Sequence, residues 1–378
     1  MKEKSESRLK IAYVIPPITL YGSGLANRRK RDPIEEWLFK HGDPVVFSNY
    51  RKQWVELWRV FFRIDGFVWL FLKLPLKLIR GKYSLFMVAA RDPQAIITFV
   101  VSKLLRKPII VSDSFYYWPE RLLARLVWPF FRFASSHATV FNAGTRRVKS
   151  FWESGGVPES EIGIYHTFMS MIKVNDESVT LSRKLKQELG YQKVVLSVGR
   201  LVKEKGGECL IRAFEKLSKE ATDVALLIIG DGPERNKLEE LCRNLRLHNV
   251  VFTGFVGRDN IAPYYLMSDV FVFPSIRMRV HEEWGLVVNE AMSVGKPVIV
   301  SASVGCAYEV VEDGVTGYII PDGNVNALYE TMRKLICNDE LRIRMGEEAR
   351  NIIFKEFTYE HAIENCKNLI NDAVKRQI

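Results

Sequence analysis

Residues 193–232, KVVLSVGRLVKEKGGECLIRAFEKLSKEATDVALLIIGDG, decide the fold. The stretch opens on a short β-branched run, KVVLSVG (193–199), and closes on another, ALLIIGDG (225–232), with a helix expected over about 207–219 between them. Runs of this kind, short and largely apolar without alternation, belong to strands buried on both faces of a parallel sheet. The pattern continues through a helix at about 233–246 and the runs VVFTGF (250–255), VFVFPS (270–275), PVIVSA (297–302) and GYIIP (317–321). Alternating strands and helices of this length make a doubly wound α/β domain.

Working back towards the N-terminus, similar runs recur at IAYVI (11–15), Leu85–Val88, Pro108–Val111 and Ala138–Phe141, separated by long helical stretches. A chain of 378 residues exceeds one ordinary core. The reading is therefore two α/β domains, 1–172 and 173–357, followed by a helix over 358–378 expected to pack back on the first. The polar stretch Lys173–Gln192, with its helix-stopping Gly190, reads as the linker region. Two facing doubly wound domains place a cleft at the carboxyl ends of both sheets, where ligands usually sit.

The charge is uneven. Residues 1–180 carry 28 Lys/Arg against 16 Asp/Glu, whereas residues 181–378 carry 27 against 28, so the net +11 lies in the first half. Such asymmetry points to an anionic partner: a membrane, a nucleic acid or a phosphorylated substrate, or else simply to a solvated basic face. Five widely spaced cysteines without a C-x-x-C fit reduced thiols rather than a disulfide frame or a zinc site. The start, MKEKSESRLK, lacks the apolar core of a signal peptide, and no run reaches the ~18 apolar residues a membrane span requires. The expectation is a soluble protein or one that sits on a surface.

Three segments carry candidate chemistry. In HEEWGLVVNEAMSVGKPVI (281–299), Glu282 and Glu290 stand eight positions apart, with Gly285 between them. If a helix begins after Gly285, both carboxylates can face one cleft. A carboxylate can accept hydrogen bonds from both vicinal hydroxyls of a ribose, and the N–H groups at a helix start favour a diphosphate. Two solvated glutamates on a helix share the same spacing. In SVGRLVKEKGG (197–207), Arg200 and Lys205 follow a strand end and can hold phosphate, or can be surface cations. In GDGPERNKLE (230–239), Gly232 permits close backbone approach, as in many βα turns.

Taken together over roughly 193–357, these segments, with FTGFV (252–256), SDVFVFPS (268–275) and DGVTGYIIPDG (313–323), resemble the donor domain of glycosyltransferase family 4, the retaining group with the GT-B fold. The resemblance implies a hexosyltransferase-type enzyme moving a sugar from a nucleotide-diphosphate donor to an acceptor hydroxyl. By that analogy Glu290 holds the ribose, Glu282 the donor sugar's hydroxyls, Arg200 and Lys205 the diphosphate, and the backbone at Phe255-Val256 the base. Gly285, Leu286 and Val287 line the helix start on the donor side. Glu283 stands where the family often has a glycine, and Cys306 follows Gly305 where paired glycines are common, so the donor sugar stays open. The chain has no D-x-D, so fixed cations rather than Mg²⁺ or Mn²⁺ are expected to stabilise the leaving diphosphate.

The first half matches less. Asp113, after the strand at 108–111, stands where the family often has a histidine, and a helix-cap role is the competing reading. Gly22 and Gly24 in YGSG (21–24) can approach the diphosphate or make a simple turn. His137, His166 and His281 read as structural or unproven. Residues 51–82 interleave Trp54, Trp58, Trp69 and several Phe with Arg and Lys, and 121–133 repeats that composition. Such helices suit a membrane interface, or a core helix whose cations snorkel at its edges.

The expectation is a metal-independent glycosyltransferase acting on a lipid-linked or cell-envelope glycan. It would need no cofactor besides its nucleotide-sugar donor and would sit on the cytoplasmic face of the membrane without binding nucleic acid. The alternatives are a GT-B scaffold that binds anionic membrane or nucleic acid without catalysis, and a sugar-nucleotide epimerase.

Overall fold

The computed structural model describes residues 11–14, 42–44, 74–81, 83–90, 93–113, 122–166, 170–278, 282 and 284–376. They fall into two compact units, 1–167 with 359–378, and 168–358.

The second unit is a six-stranded parallel sheet of β7 (Lys193–Val198), β8 (Val224–Ile229), β9 (Val250–Gly254), β10 (Val270–Phe273), β11 (Val298–Ser301) and β12 (Gly317–Ile320). Its order, β12-β11-β10-β7-β8-β9, reverses between β7 and β10. This is the arrangement of dinucleotide-binding folds, in which ligands sit at the carboxyl ends beside the reversal. β8 is buried at every residue, as its unbroken apolar run requires. Helix Gly207–Glu220 turns Leu210, Ile211, Ala213, Phe214 and Leu217 onto the sheet, giving one apolar stripe at helical period.

The stretch 173–192 is not a linker. It holds the helix Asp176–Leu189, started by a reciprocal cap between Asn175 and Ser178 and stopped by Gly190 in the left-handed region (φ 76°). Lys186 reaches Asp269 at the start of β10 (2.8 Å), which fixes the helix to the unit.

The first unit has β1 (Ile11–Val14), β2 (Gly42–Pro44), β3 (Leu85–Ala89), β4 (Ile109–Ser112), β5 (Val140–Asn142) and β6 (Ile162–Gly163), all parallel, in the order β2-β1-β3-β4-β5-β6. Successive strand residues point to opposite faces, and the core divides accordingly. Phe86, Val88, Ile109, Val111 and Phe141 pack with residues of helices Leu74–Arg80, Pro93–Leu104 and Leu122–Ser136. Leu85, Met87, Ile110 and Val140 pack instead against Leu369, Ile370 and Ala373 of the helix Tyr359–Lys375. Among the described residues no helix is long and apolar enough to cross a membrane.

Candidate functional site

The carboxyl ends of β7, β8 and β9 are laced together by backbone hydrogen bonds. Gly199 N–H donates to the Ile229 carbonyl, Leu201 N–H to Asp231 and Gly230 N–H to Gly254, each at 2.9 Å. A Cβ at Gly232 would lie 2.4 Å from the Leu201 carbonyl, so the glycine is required by this lacing itself. After β7 the chain runs through exposed Arg200 into a tight turn over Lys203–Lys205 and then Gly206 (φ 70°), whose Cβ would meet the Pro274 carbonyl at 2.0 Å. Only glycine brings the start of the next helix this close to the end of β10.

That turn delivers Lys205 to Glu282. Their side chains form an ion pair, and the Lys205 ammonium lies 4.8 Å above the Phe273 ring. Burial, and then the Arg200 cation, lower the Lys205 pKa to about 8; Glu204 acts the other way, and the ion pair with Glu282 opposes the lowering too. Glu282, Lys205 and Arg200 are thus gathered at the reversal between β7 and β10.

The loop bearing Glu282 is held by backbone bonds to the loop after β11: Gly305 N–H donates to the Glu282 carbonyl (2.9 Å) and Cys306 N–H to Trp284 (2.8 Å). The Trp284 indole donates to Asn289 (2.8 Å), and the buried Cys306 Sγ lies 3.9 Å from the Gly285 carbonyl. Trp284 and Cys306 are thus both buried where the two loops meet. Gly285 takes a left-handed conformation (φ 96°) and starts the helix Leu286–Ser293; no side chain caps that end. Half-buried Leu286 and Val287 form its first turn, and Glu290 follows one turn in.

Glu290 is 9% exposed. One carboxylate oxygen accepts from the Ser170 hydroxyl (2.5 Å), the other from the Tyr265 phenol (2.8 Å). Ser170 in turn accepts from Arg258 (3.0 Å). A carboxylate has about four lone-pair positions, so two bonds leave it able to accept more. Burial, and secondarily the Glu290 charge, raise the Tyr265 phenol well above its ordinary pKa. Just past β9, Phe255 projects with 82% of its surface exposed, beside half-buried Val256.

The remaining candidates fall elsewhere. Asp113 belongs to the first unit, is 5% exposed, and accepts from the Trp152 indole (2.8 Å). Trp152 stacks on Trp128 with centroids 4.9 Å apart, so the carboxylate satisfies a core indole. His137 and His166 bond through Nδ1 to the carbonyls of Phe133 and Gly144. Gly22, Gly24, His281 and residues 51–73 lie outside the described residues. Sequence reasoning missed Ser170, Arg258 and Tyr265, the partners around Glu290. Their only signal is position: Tyr265 lies in the helix just before SDVFVFPS.

The family of glycosyl transferases group 1 matches residues 181–352. The chain is 31% identical over 225 residues to N-acetyl-alpha-D-glucosaminyl L-malate synthase of Bacillus anthracis, a match that takes in 58% of this chain and 55% of the relative. It is 29% identical over 264 residues to alpha-D-kanosaminyltransferase of Streptomyces kanamyceticus, covering 66% and 67% respectively. The chain thus spans about half to two thirds of the length of these curated relatives. Among solved structures, HepE of Anabaena, in complex with UDP and glucose, superposes with a TM-score of 0.70 at 19% identity, over 96% of this chain and 99% of that one. Sucrose-phosphate synthase of Thermosynechococcus elongatus gives 0.70 at 19%, over 97% and 100%. The match to the glycosyl transferases group 1 thus lies within the second unit, and across its length the chain shares the GT-B fold with these solved structures.

Proposed function

We propose that the chain is a retaining glycosyltransferase that moves a sugar from a nucleoside-diphosphate donor to an acceptor hydroxyl without a metal ion. The observation that carries this reading is the meeting of Lys205, Arg200 and Glu282 at the reversal between β7 and β10. As the bond from the anomeric carbon to the diphosphate breaks, negative charge grows on the leaving oxygens, and Arg200 and Lys205 stabilise it. Glu282, already held by Lys205, accepts hydroxyls of the donor sugar. Glu290 accepts from the ribose diol, the N–H groups of Leu286 and Val287 meet the diphosphate, and Phe255-Val256 meet the base. UDP in the HepE structure supports a nucleoside diphosphate as ligand class.

The test has two steps. UDP, GDP and ADP are added separately while unfolding is followed; a ligand at 100 times its Kd adds about 2.7 kcal/mol, and the reading fails if none raises the midpoint. Transfer from the matching sugar donor is then measured with excess chelator. Turnover that vanishes and returns with Mn²⁺ or Mg²⁺ refutes the metal-free part.

A second reading concerns the acceptor side. Among the described residues of the first unit, the exposed large apolar side chains are Leu76, Ile79, Val100, Leu104 and Phe133. All five sit on the three helices that cover one face of the sheet, among exposed Lys77, Arg80, Lys103 and Arg132. A concavity lined by Lys103, Arg106 and Lys107, and by Arg376 paired with Glu161, adjoins the end of the middle helix. Apolar side chains ringed by cations suit an anionic bilayer, as a peripheral enzyme on a lipid-linked or envelope acceptor requires. Binding to acidic vesicles that weakens in salt, and falls in Val100→Ser/Leu104→Ser with the melting point kept, supports it. Equal binding to neutral vesicles, or none, refutes it.

A further inference from the structure

Among the described residues, Glu290 is held by two neutral hydroxyls, and the nearest link to a cation runs through one of them, from Arg258 by way of Ser170. A buried acid serving only the core is usually neutralised by direct contact with a cation, because a desolvated carboxylate is costly. Two hydroxyls do something else: each donates to one oxygen, and together they fix the plane of the carboxylate. Tyr265 is fully buried on the helix Ala262–Met267, with its ring 5.7 Å from Phe271, so its phenol has no room to swing. Its raised pKa leaves it an O–H donor throughout the working range. One carboxylate oxygen is therefore anchored by Tyr265, and the other is met by Ser170 from the far side of the fold's sequence, 120 residues away.

We propose that Tyr265 and Ser170 are positioning residues for Glu290: together they set the carboxylate plane so that its remaining lone pairs point at the ribose diol of the donor nucleotide. This rests on the ribose reading of Glu290. An acceptor that is already fixed loses no rotational freedom when the ligand arrives, so each hydrogen bond to the diol contributes its full value. A carboxylate free to rotate gives part of that back, without any change in the contacts to the diphosphate. The signature is therefore a loss of discrimination for the ribose hydroxyls, separate from a loss of overall binding.

The experiment uses the full chain and whichever of UDP, GDP and ADP raises its melting point most, beside the 2′,3′-dideoxy form of that nucleotide. Calorimetry gives both dissociation constants for the wild type, Tyr265→Phe and Ser170→Ala, with melting curves alongside. Charge-assisted hydrogen bonds predict that the wild type prefers the ribose form by about tenfold or more. In either variant the preference should fall to about threefold or less, with affinity for the dideoxy form unchanged. A merely structural role lowers the melting point and leaves the ratio alone. A wild-type ratio in both variants, or in whichever of them folds, overturns the positioning role while leaving the ribose reading intact. Equal affinity of the wild type for the two forms overturns the ribose reading itself, and the proposal with it.

Discussion

Replacing Lys205 separates what the side chain does for stability from what it does for chemistry. The side chains of the Lys205–Glu282 pair are 21% and 22% exposed, between the surface and interior cases. Breaking a fully buried pair costs about 3–5 kcal/mol, and an exposed pair contributes about 0.2–1 kcal/mol. Burial already disfavours the Lys205 ammonium, which offsets part of its attraction to Glu282. Lys205→Ala should therefore cost about 1–2 kcal/mol of stability, a drop of roughly 2–8 °C in melting point for a unit this size. Losing a fixed donor of positive charge to the leaving diphosphate costs about 10²–10³ in kcat, so catalysis suffers more than folding. The pH profile adds a second readout. With a folded pKa of about 8, the cation is present below that pH and lost above it, so kcat falls as pH rises through about 8. Lys205→Arg keeps its charge at any accessible pH and should abolish that alkaline limb. Because the folded pKa is depressed below the ordinary 10.5, this group's contribution to stability increases as pH rises from about 8. A Lys205→Ala enzyme whose kcat stays within tenfold of wild type, with an unchanged alkaline limb, refutes the electrophile argument.

Three further outcomes are expected. Glu290→Ala should weaken the nucleoside diphosphate at least about tenfold by calorimetry, and should also lower the melting point, because Tyr265 and Ser170 lose their acceptor at about 1–3 kcal/mol each; unchanged affinity removes the ribose assignment. Asp113→Ala strands the buried Trp152 indole and should cost about 1–3 kcal/mol of stability, with kcat of the folded enzyme little altered; a collapse of kcat at an unchanged melting point would return Asp113 to the chemistry. Phe255→Ser removes an exposed ring, so the melting point should hold while nucleotide affinity falls by about 1–3 kcal/mol if the base stacks there; retained affinity rules that contact out.

The strands were legible because a parallel strand covered on both faces must be apolar at every residue, and β8 shows this in VALLII. The helix Asp176–Leu189 was hidden for the converse reason. Its buried residues, Ser178 and Ser182, are polar, while Leu185 and Leu189 on the same face are only half-buried, so the stripe facing inward gives a weak hydrophobic period. Its caps, Asn175 and Gly190, were the available signal, and Gly190 alone reads equally well as a loop. At the site, the helix start at Gly285 and the place of Glu290 one turn beyond it followed from spacing. The partners of Glu290 did not, since Tyr265 and Ser170 lie 25 and 120 residues from it, and only the folded chain brings them together. Asp113 was a candidate through its match to the family's histidine position, beside a helix-cap reading, and its indole partner, 39 residues on, was out of reach of local pattern.

The helix Tyr359–Lys375 packs on the first sheet although it is made only after the whole second unit. Until it arrives, Leu85, Met87, Ile110 and Val140 lack the packing that Leu369, Ile370 and Ala373 provide. At ribosomal rates of ~5–20 residues per second, the interval between the emergence of residue 168 and residue 375 is roughly 10–40 s. The second unit, contiguous from 168 to 358, has everything it needs to close within that window. Of the two units, the one translated earlier is thus finished later, and for those seconds the apolar side chains that this helix covers are a binding surface for chaperones and a hazard for aggregation.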